Sequence, residues 1–248
     1  MNPARLPFAA QKQLLDGIVA RCRAYDRKGH APALVVFDLD GTLMDNRPRT
    51  LAIMQELAHE WAQKDPSLAL KLQNAKPDEL EYLFGDTLKK LGVTREDLLS
   101  DGEAFWKARF FRDPHLEHDI ALAGSVSFAK DLYEAGVTLV YLTGRDLPFM
   151  GLGTFKSLRD LGFPIGVPGT EFILKPDAAM PDEVFKRELA PQLSRIGNTV
   201  AAFDNEPGNC NVFLQAYPEC DSVLVDTQMM PGPPPLLAGV KVVADFAR

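Results

Sequence analysis

The sequence predicts an α/β protein: a doubly wound, mostly parallel sheet with an inserted helical subdomain. Three observations carry this. After Gly124, strand-like runs alternate with helical periods, the pattern of a parallel sheet covered on both faces. Between about Asn46 and His118 the strand-like runs vanish and helical periodicity takes over. Three apolar strands end in polar residues (Asp38, Thr143 and Asp204), and folds of this class gather their functional groups beyond the carboxyl ends of the strands.

The elements follow in order. Phe8, Leu14, Leu15, Ile18, Val19 and Cys22 recur at helical spacing and predict an amphipathic helix over 8–27, ended by Gly29 and Pro32. Strand 33–37 leads into Asp38. In the inserted block Leu51, Ile53, Met54, Leu57 and Trp61 keep a helical period, as do Leu80, Leu83, Leu88 and Leu91. A third stretch, Leu98 to Phe111, holds Phe105, Trp106, Phe110 and Phe111, and Pro66, Pro77 and Pro114 mark the boundaries. The expected division is a core of residues 1–45 and 119–248 and a helical subdomain of residues 46–118. Helix 125–135 then ends at Gly136, strand 137–142 runs into Thr143-Gly144-Arg145, and helix 148–160 closes at Gly162. Short strands at 164–167 and 171–174, helix 182–194, strand 199–203, helix 207–216, strand 222–225 and a last strand near 240–243 complete the alternation.

A chain of 248 residues with 46% apolar and 25% charged residues has room for one large core, or for a core plus an insertion. The net charge is −7, and no Lys/Arg run exceeds two residues, so no nucleic-acid partner is expected. Cys22, Cys210 and Cys220 are odd in number and match no zinc spacing, which predicts reduced, buried thiols. The chain opens with no apolar stretch of signal-peptide length and holds none that would span a membrane, so a cytoplasmic location without a membrane partner is expected. Nothing in the sequence bears on oligomeric state. Gly151-x-Gly153 lacks a third glycine and does not directly follow a strand, which rejects a dinucleotide fingerprint. His30, His59, His115 and His118 are scattered and predict no ligand set.

The chemistry concentrates in Leu34-Val35-Val36-Phe37-Asp38-Leu39-Asp40-Gly41-Thr42-Leu43. Here two carboxylates sit just past a buried strand, where a turn opens. Such crowding is costly unless a positive charge lies between them. A divalent cation is the usual remedy, and hard oxygen donors suit Mg²⁺. The segment therefore reads as a metal-assisted site with a carboxylate nucleophile.

Asp38-Leu39-Asp40-Gly41-Thr42 resembles the first motif of the haloacid dehalogenase-like superfamily, Asp-x-Asp-Gly-Thr/Val. Leu139 to Arg145 resembles its second motif, a strand ending in Thr or Ser, and Val200 to Asn205 its fourth, a strand ending in a metal-binding acid. The helical block lies where that superfamily places a cap of the first type. The resemblance implies a Rossmann-like core and a phosphatase acting on a small phosphate ester. Asp38 would attack the phosphoryl group, and Asp40 would protonate the leaving alkoxide and then activate water. Thr143 would hydrogen-bond a phosphoryl oxygen, with Gly144 beside it at the substrate; Arg145 reads either as a holder of a substrate phosphate or carboxylate or as an ion pair at the strand end. Asp38, Asp40 (through its carbonyl) and Asp204 would hold Mg²⁺, with Asn205 or Glu206 completing the site directly or through water.

The superfamily's lysine has two candidates. Lys186 is favoured because it opens the helix before the Asp204 strand; Lys175 ends a predicted strand and is the rival. The fourth motif departs from the usual pattern. Asn205 stands where a second acid is common, the fourth position on is Gly208, and Glu206 is the nearby extra acid. An acid at position 40 favours phosphatase over dehalogenase chemistry, since a halide leaves without a proton. A phosphonate hydrolase, a phosphoryl transferase and a weakly catalytic binding protein on the same scaffold stand as alternatives. The aromatic residues of the inserted block are expected to fill its own core.

Overall fold

The computed structural model describes residues 4–25 and 31–248. Its central sheet has six parallel strands in the order β5-β4-β1-β6-β7-β8. These are β1 (Ala33–Phe37), β4 (Thr138–Asp146), β5 (Thr170–Lys175), β6 (Asn198–Asp204), β7 (Asp221–Val225) and β8 (Lys241–Val243). Helices α1 (Phe8–Ala24), α6 (Ser125–Glu134), α7 (Leu147–Leu161), α8 (Asp182–Leu189) and α9 (Pro207–Ala216) surround it. The chain places β4 and β5 on one side of β1, then crosses to lay β6, β7 and β8 on the other. The strand order therefore reverses around β1, where ligands of open α/β sheets gather.

All five residues of β1 are buried, as an apolar central strand covered on both faces should be. Alternation divides them. Ala33, Val35 and Phe37 face a core shared with Leu15, Ile18, Phe128, Leu132, Phe203 and Phe246. Leu34 and Val36 face a second core with Phe185, Leu193 and Phe213. Phe37 stacks on Phe203 at 5.1 Å, which fixes the register that sets Asp38 beside the end of β6.

Between β1 and β4 the chain leaves the sheet through a two-stranded antiparallel ribbon, β2 (Met44–Asp45) with β3 (Ile120–Ala121). The segment bounded by the ribbon is helical: α2 (Arg47–Trp61), α3 (Pro66–Asn74), α4 (Phe84–Lys90) and α5 (Glu96–Phe110), with 3₁₀ turns at Pro77–Glu79 and Asp113–His118. It has a core of its own around Met54, Leu57, Trp61, Leu72, Phe84, Leu88, Leu98 and Leu99. Trp106 stacks on Phe84 and Phe110. The expected aromatic filling is seen there, although Phe111 stays 40% exposed.

Three expectations need correction. Residues 164–167 form no strand. Pro164 and Pro168 lack amide donors, and Gly166 and Gly169 take positive φ, so the segment turns instead. The helix expected over 182–194 stops at Leu189 and continues as a 3₁₀ turn, Ala190–Arg195, because Pro191 cannot donate into an α-helix. The opening helix ends at Ala24, with Phe8 60% exposed rather than on the packed face. Gly29 and His30 lie outside the described residues.

Candidate active site

The carboxyl ends of β4, β1 and β6 bring Thr143, Asp38 and Asp204 to one edge. After β1 the chain curls tightly: the amides of Thr42, Leu43 and Met44 all donate to the Leu39 carbonyl. Gly41 makes the curl with φ +75°, where a Cβ would fall 2.6 Å from Asn205 Nδ2. Only glycine allows this loop to lie against the end of β6.

Lys186, on α8, is buried between the two acids. Its Nζ donates to Asp38 Oδ1 at 2.6 Å and to Asp204 Oδ2 at 2.7 Å. Thr42 Oγ1 donates to Asp38 Oδ2 at 3.1 Å. Asp204 Oδ1 accepts from the Glu206 amide and from Asn209 Nδ2. Asn209, five residues beyond Asp204, escaped the sequence reasoning, which looked at the fourth position. One ammonium thus serves two buried acids. Burial pushes the Asp38 carboxyl up, Lys186 opposes this and Asp204 adds to it, leaving Asp38 raised to about 7. Burial would lower Lys186, but Asp204 and Asp38 hold it well above the ordinary lysine range.

Lys175 lies elsewhere. Its Nζ is committed to Asp182 Oδ1 at 2.6 Å and to the Met180 carbonyl at 2.9 Å. The geometry gives it no contact with Asp38 or Asp204 and corrects its candidacy as the lysine of the site.

The hydrogen bonds of the Asp40 side chain go to residues outside the Asp38–Lys186–Asp204 bridge. Arg145 grips it bidentately, Nε to Oδ2 at 2.7 Å and Nη2 to Oδ1 at 2.8 Å. Arg49 Nη2 and Asn46 Nδ2 also donate to Oδ1. Burial alone would raise Asp40, but Arg145 and Arg49 overcome it and hold the carboxyl far below the usual range. The side chain expected to serve as proton donor is thus held in place by two arginines. Of the two readings of Arg145, the ion pair at the strand end is the one seen: its guanidinium is spent on Asp40 and Asp119.

Thr143 is buried, and its Oγ1 accepts from the Arg145 amide at 3.2 Å. The β4–β5 register shifts between Thr143 and Asp146, re-aiming the strand end. At Gly144 an added Cβ would lie 2.2 Å from Asp182 Oδ2, so the backbone passes directly under that carboxylate. Asn205 donates to the Gln228 carbonyl at 2.7 Å, and its Oδ1 lies 3.4 Å from Thr42 Oγ1. Glu206 accepts from the Met230 amide, and burial with nearby Asp204 raises its carboxyl. Tyr82 of the helical segment lies near enough for Glu206, Asp182 and Asp38 to help burial raise its hydroxyl. Arg49 and Asp119 carried no motif and were not foreseen.

Among the described residues no three His, Cys, Asp or Glu side chains converge on a metal position. The donor chemistry nevertheless fits a hard cation. Asp38 and Asp204 share one buried wall with the Asn205 amide oxygen, and a single lysine leaves that wall short of positive charge.

No family model matches the chain. It is 26% identical over 135 residues to the stem 31 kDa glycoprotein of Glycine max, taking in 49% of this chain and 53% of that protein. The chain thus spans about half the length of the curated relative it matches. Among solved structures, a presumed phosphatase from Clostridium difficile aligns over 84% of this chain and 93% of its own, with 16% identity and a TM-score of 0.52. Protein Tyrosine Kinase A of Mycobacterium tuberculosis aligns over 86% and 94%, with 19% identity and a TM-score of 0.51. These two likenesses show a shared fold.

Proposed function

We propose that this chain, which has the fold of the haloacid dehalogenase-like superfamily, is a phosphatase that hydrolyses a small phosphate monoester through an aspartyl-phosphate on Asp38. The observation that carries the proposal is the buried Lys186 bridge between Asp38 and Asp204 at the reversal point of the sheet. A carboxylate nucleophile facing a phosphate dianion needs compensating charge, and Lys186 supplies part of it. Mg²⁺, held by Asp38, the Asp40 carbonyl, Asp204 and Asn205, would supply the rest by neutralising phosphoryl oxygens.

An oxygen of Asp38 attacks phosphorus while the ester oxygen departs with its electron pair. Thr143 Oγ1 and the backbone around Gly144 line the strand end where phosphoryl oxygens would rest. Water then attacks the phosphorus of the acyl phosphate and releases the Asp38 carboxylate. Asp40, held in one orientation by Arg49 and Arg145, would pass a proton to the departing oxygen and take one from the attacking water. Transfer to an acceptor other than water shares every step up to the phosphoaspartate, so a phosphoryl transferase is the second reading, and the fold shared with a protein described as a kinase favours keeping it.

The test is phosphate release from a broad panel of phosphate monoesters, with Mg²⁺ and with EDTA, using Asp38→Asn as blank. Mg²⁺-dependent release absent from the variant supports the proposal. No release from any ester, together with no transfer to added alcohols, overturns it.

A further inference from the structure

Two acids and two arginines form a closed ring beside the catalytic loop, with three of the four side chains buried. Asp119 accepts from Arg49 Nε at 2.8 Å and Nη2 at 2.6 Å, and from Arg145 Nη2 at 2.7 Å. Both arginines also reach Asp40. The side chains of Arg49, Asp119 and Arg145 are at most 1% exposed; that of Asp40 is 28% exposed. The four members come from four places. Asp40 belongs to the catalytic loop and Arg145 to the end of β4. Arg49 lies in the first turn of α2, just after the chain enters the helical segment, and Asp119 lies where the chain returns from it. The charges of the ring cancel, and a buried set of this kind holds together only while complete.

We propose that Asp119 is a positioning residue: it holds Arg49 and Arg145 in one geometry on Asp40, and so couples the two chain crossings of the helical segment to the aim of the Asp40 carboxylate. With Asp119 neutral, two guanidinium groups would compete for one carboxylate at the same oxygen, Asp40 Oδ1, which already accepts from Arg49 Nη2, Arg145 Nη2 and Asn46 Nδ2. One arginine must withdraw, and Asp40 turns with whichever remains. The Lys186 bridge shares no residue with this ring, so the ammonium that faces the phosphoryl group stays in place. The kinetic arm of the test rests on the proposed phosphatase activity; the structural arm does not.

The experiment compares wild type, Asp119→Asn, Arg49→Gln and the double variant on p-nitrophenyl phosphate with Mg²⁺, with crystal structures of wild type and Asp119→Asn. A misaimed group costs up to about 10²-fold in rate, so kcat of Asp119→Asn should fall by about that factor with KM within about threefold. The double variant restores charge balance and leaves the Arg145–Asp40 fork alone, so it should recover about tenfold over Asp119→Asn. Unchanged kcat in Asp119→Asn, or a double variant no better than the product of the singles, overturns the proposal. If Asp119→Asn alone does not fold, a double variant that folds and turns over supports it, and one that folds without turnover overturns it. If wild type hydrolyses nothing, the phosphatase reading fails and the crystal structures decide: loss of either arginine's bonds to Asp40 supports the positioning role, and retention of all the Arg49 and Arg145 bonds to Asp40 overturns it.

Discussion

Replacing Lys186 by methionine is the perturbation whose size the structure sets most clearly. The ammonium is buried and bonded at 2.6 and 2.7 Å to two acids that are themselves buried. Removing one member of a buried ion pair costs about 3–5 kcal/mol, because the partner is left uncompensated. The penalty should depend on pH. Asp38 is raised from 3.8 to about 7 even with Lys186 present. A carboxyl raised on folding favours the folded state fully below its unfolded value, and that contribution is lost as pH rises through the folded value. Without Lys186 the folded value climbs further, so the variant suffers most where wild type has begun to ionise Asp38. In urea titrations with EDTA, Lys186→Met should lose about 4 kcal/mol at pH 8, and at least about 1 kcal/mol less at pH 5. Adding Asp38→Asn to it should return about 2 kcal/mol at pH 8, since one buried acid disappears. A loss under about 1 kcal/mol at pH 8, or one independent of pH, would refute the idea that this lysine holds two buried acids together.

Four further outcomes follow from the same geometry. Asp38→Asn should abolish turnover yet unfold in EDTA at pH 8 no more readily than wild type, because Lys186 then matches Asp204 alone; calorimetry checks this. Wild type in EDTA should lose stability as pH rises from about 4 through about 7, the direction set by the raised Asp38, and Mg²⁺ should restore it by preferring the ionised form; thermal melts with and without Mg²⁺ read both. Gly41→Ala should cost roughly 1–3 kcal/mol and most of the activity, since φ +75° and the approach of Asn205 both forbid a Cβ there; urea unfolding and kcat measure it. Lys175→Gln should keep kcat within about threefold, because its ammonium serves Asp182 and the Met180 carbonyl rather than the acids of the site.

The sheet was readable because its strands are short apolar runs closed by glycine or polar residues. Residues 33–37 emerge as a strand with the expected ends, and residues 207–216 as a helix. The two-residue ribbon of β2 and β3 carries no periodicity to read, and residues 164–167 looked like a strand only while their prolines and positive-φ glycines were discounted. Within the site, Asp38, Thr143 and Asp204 were legible as strand ends, and the opening of the helix before Asp204 pointed to Lys186. What the sequence hid is long-range. Arg49 pairs with Asp119 across 70 residues and Arg145 with Asp40 across 105. An arginine in a helical period looks like a solvated side chain until the fold buries it. The motif around Asp40 gives no sign of the two arginines that hold its carboxylate.

The most direct test of the account is acid quenching of the enzyme during turnover of a ³²P-labelled phosphate monoester in Mg²⁺, followed by peptide mapping of the labelled protein. The account predicts acid-stable, hydroxylamine-labile label on the peptide carrying Asp38, and none on Asp38→Asn. Turnover without label on that peptide, or label retained in Asp38→Asn, would contradict it.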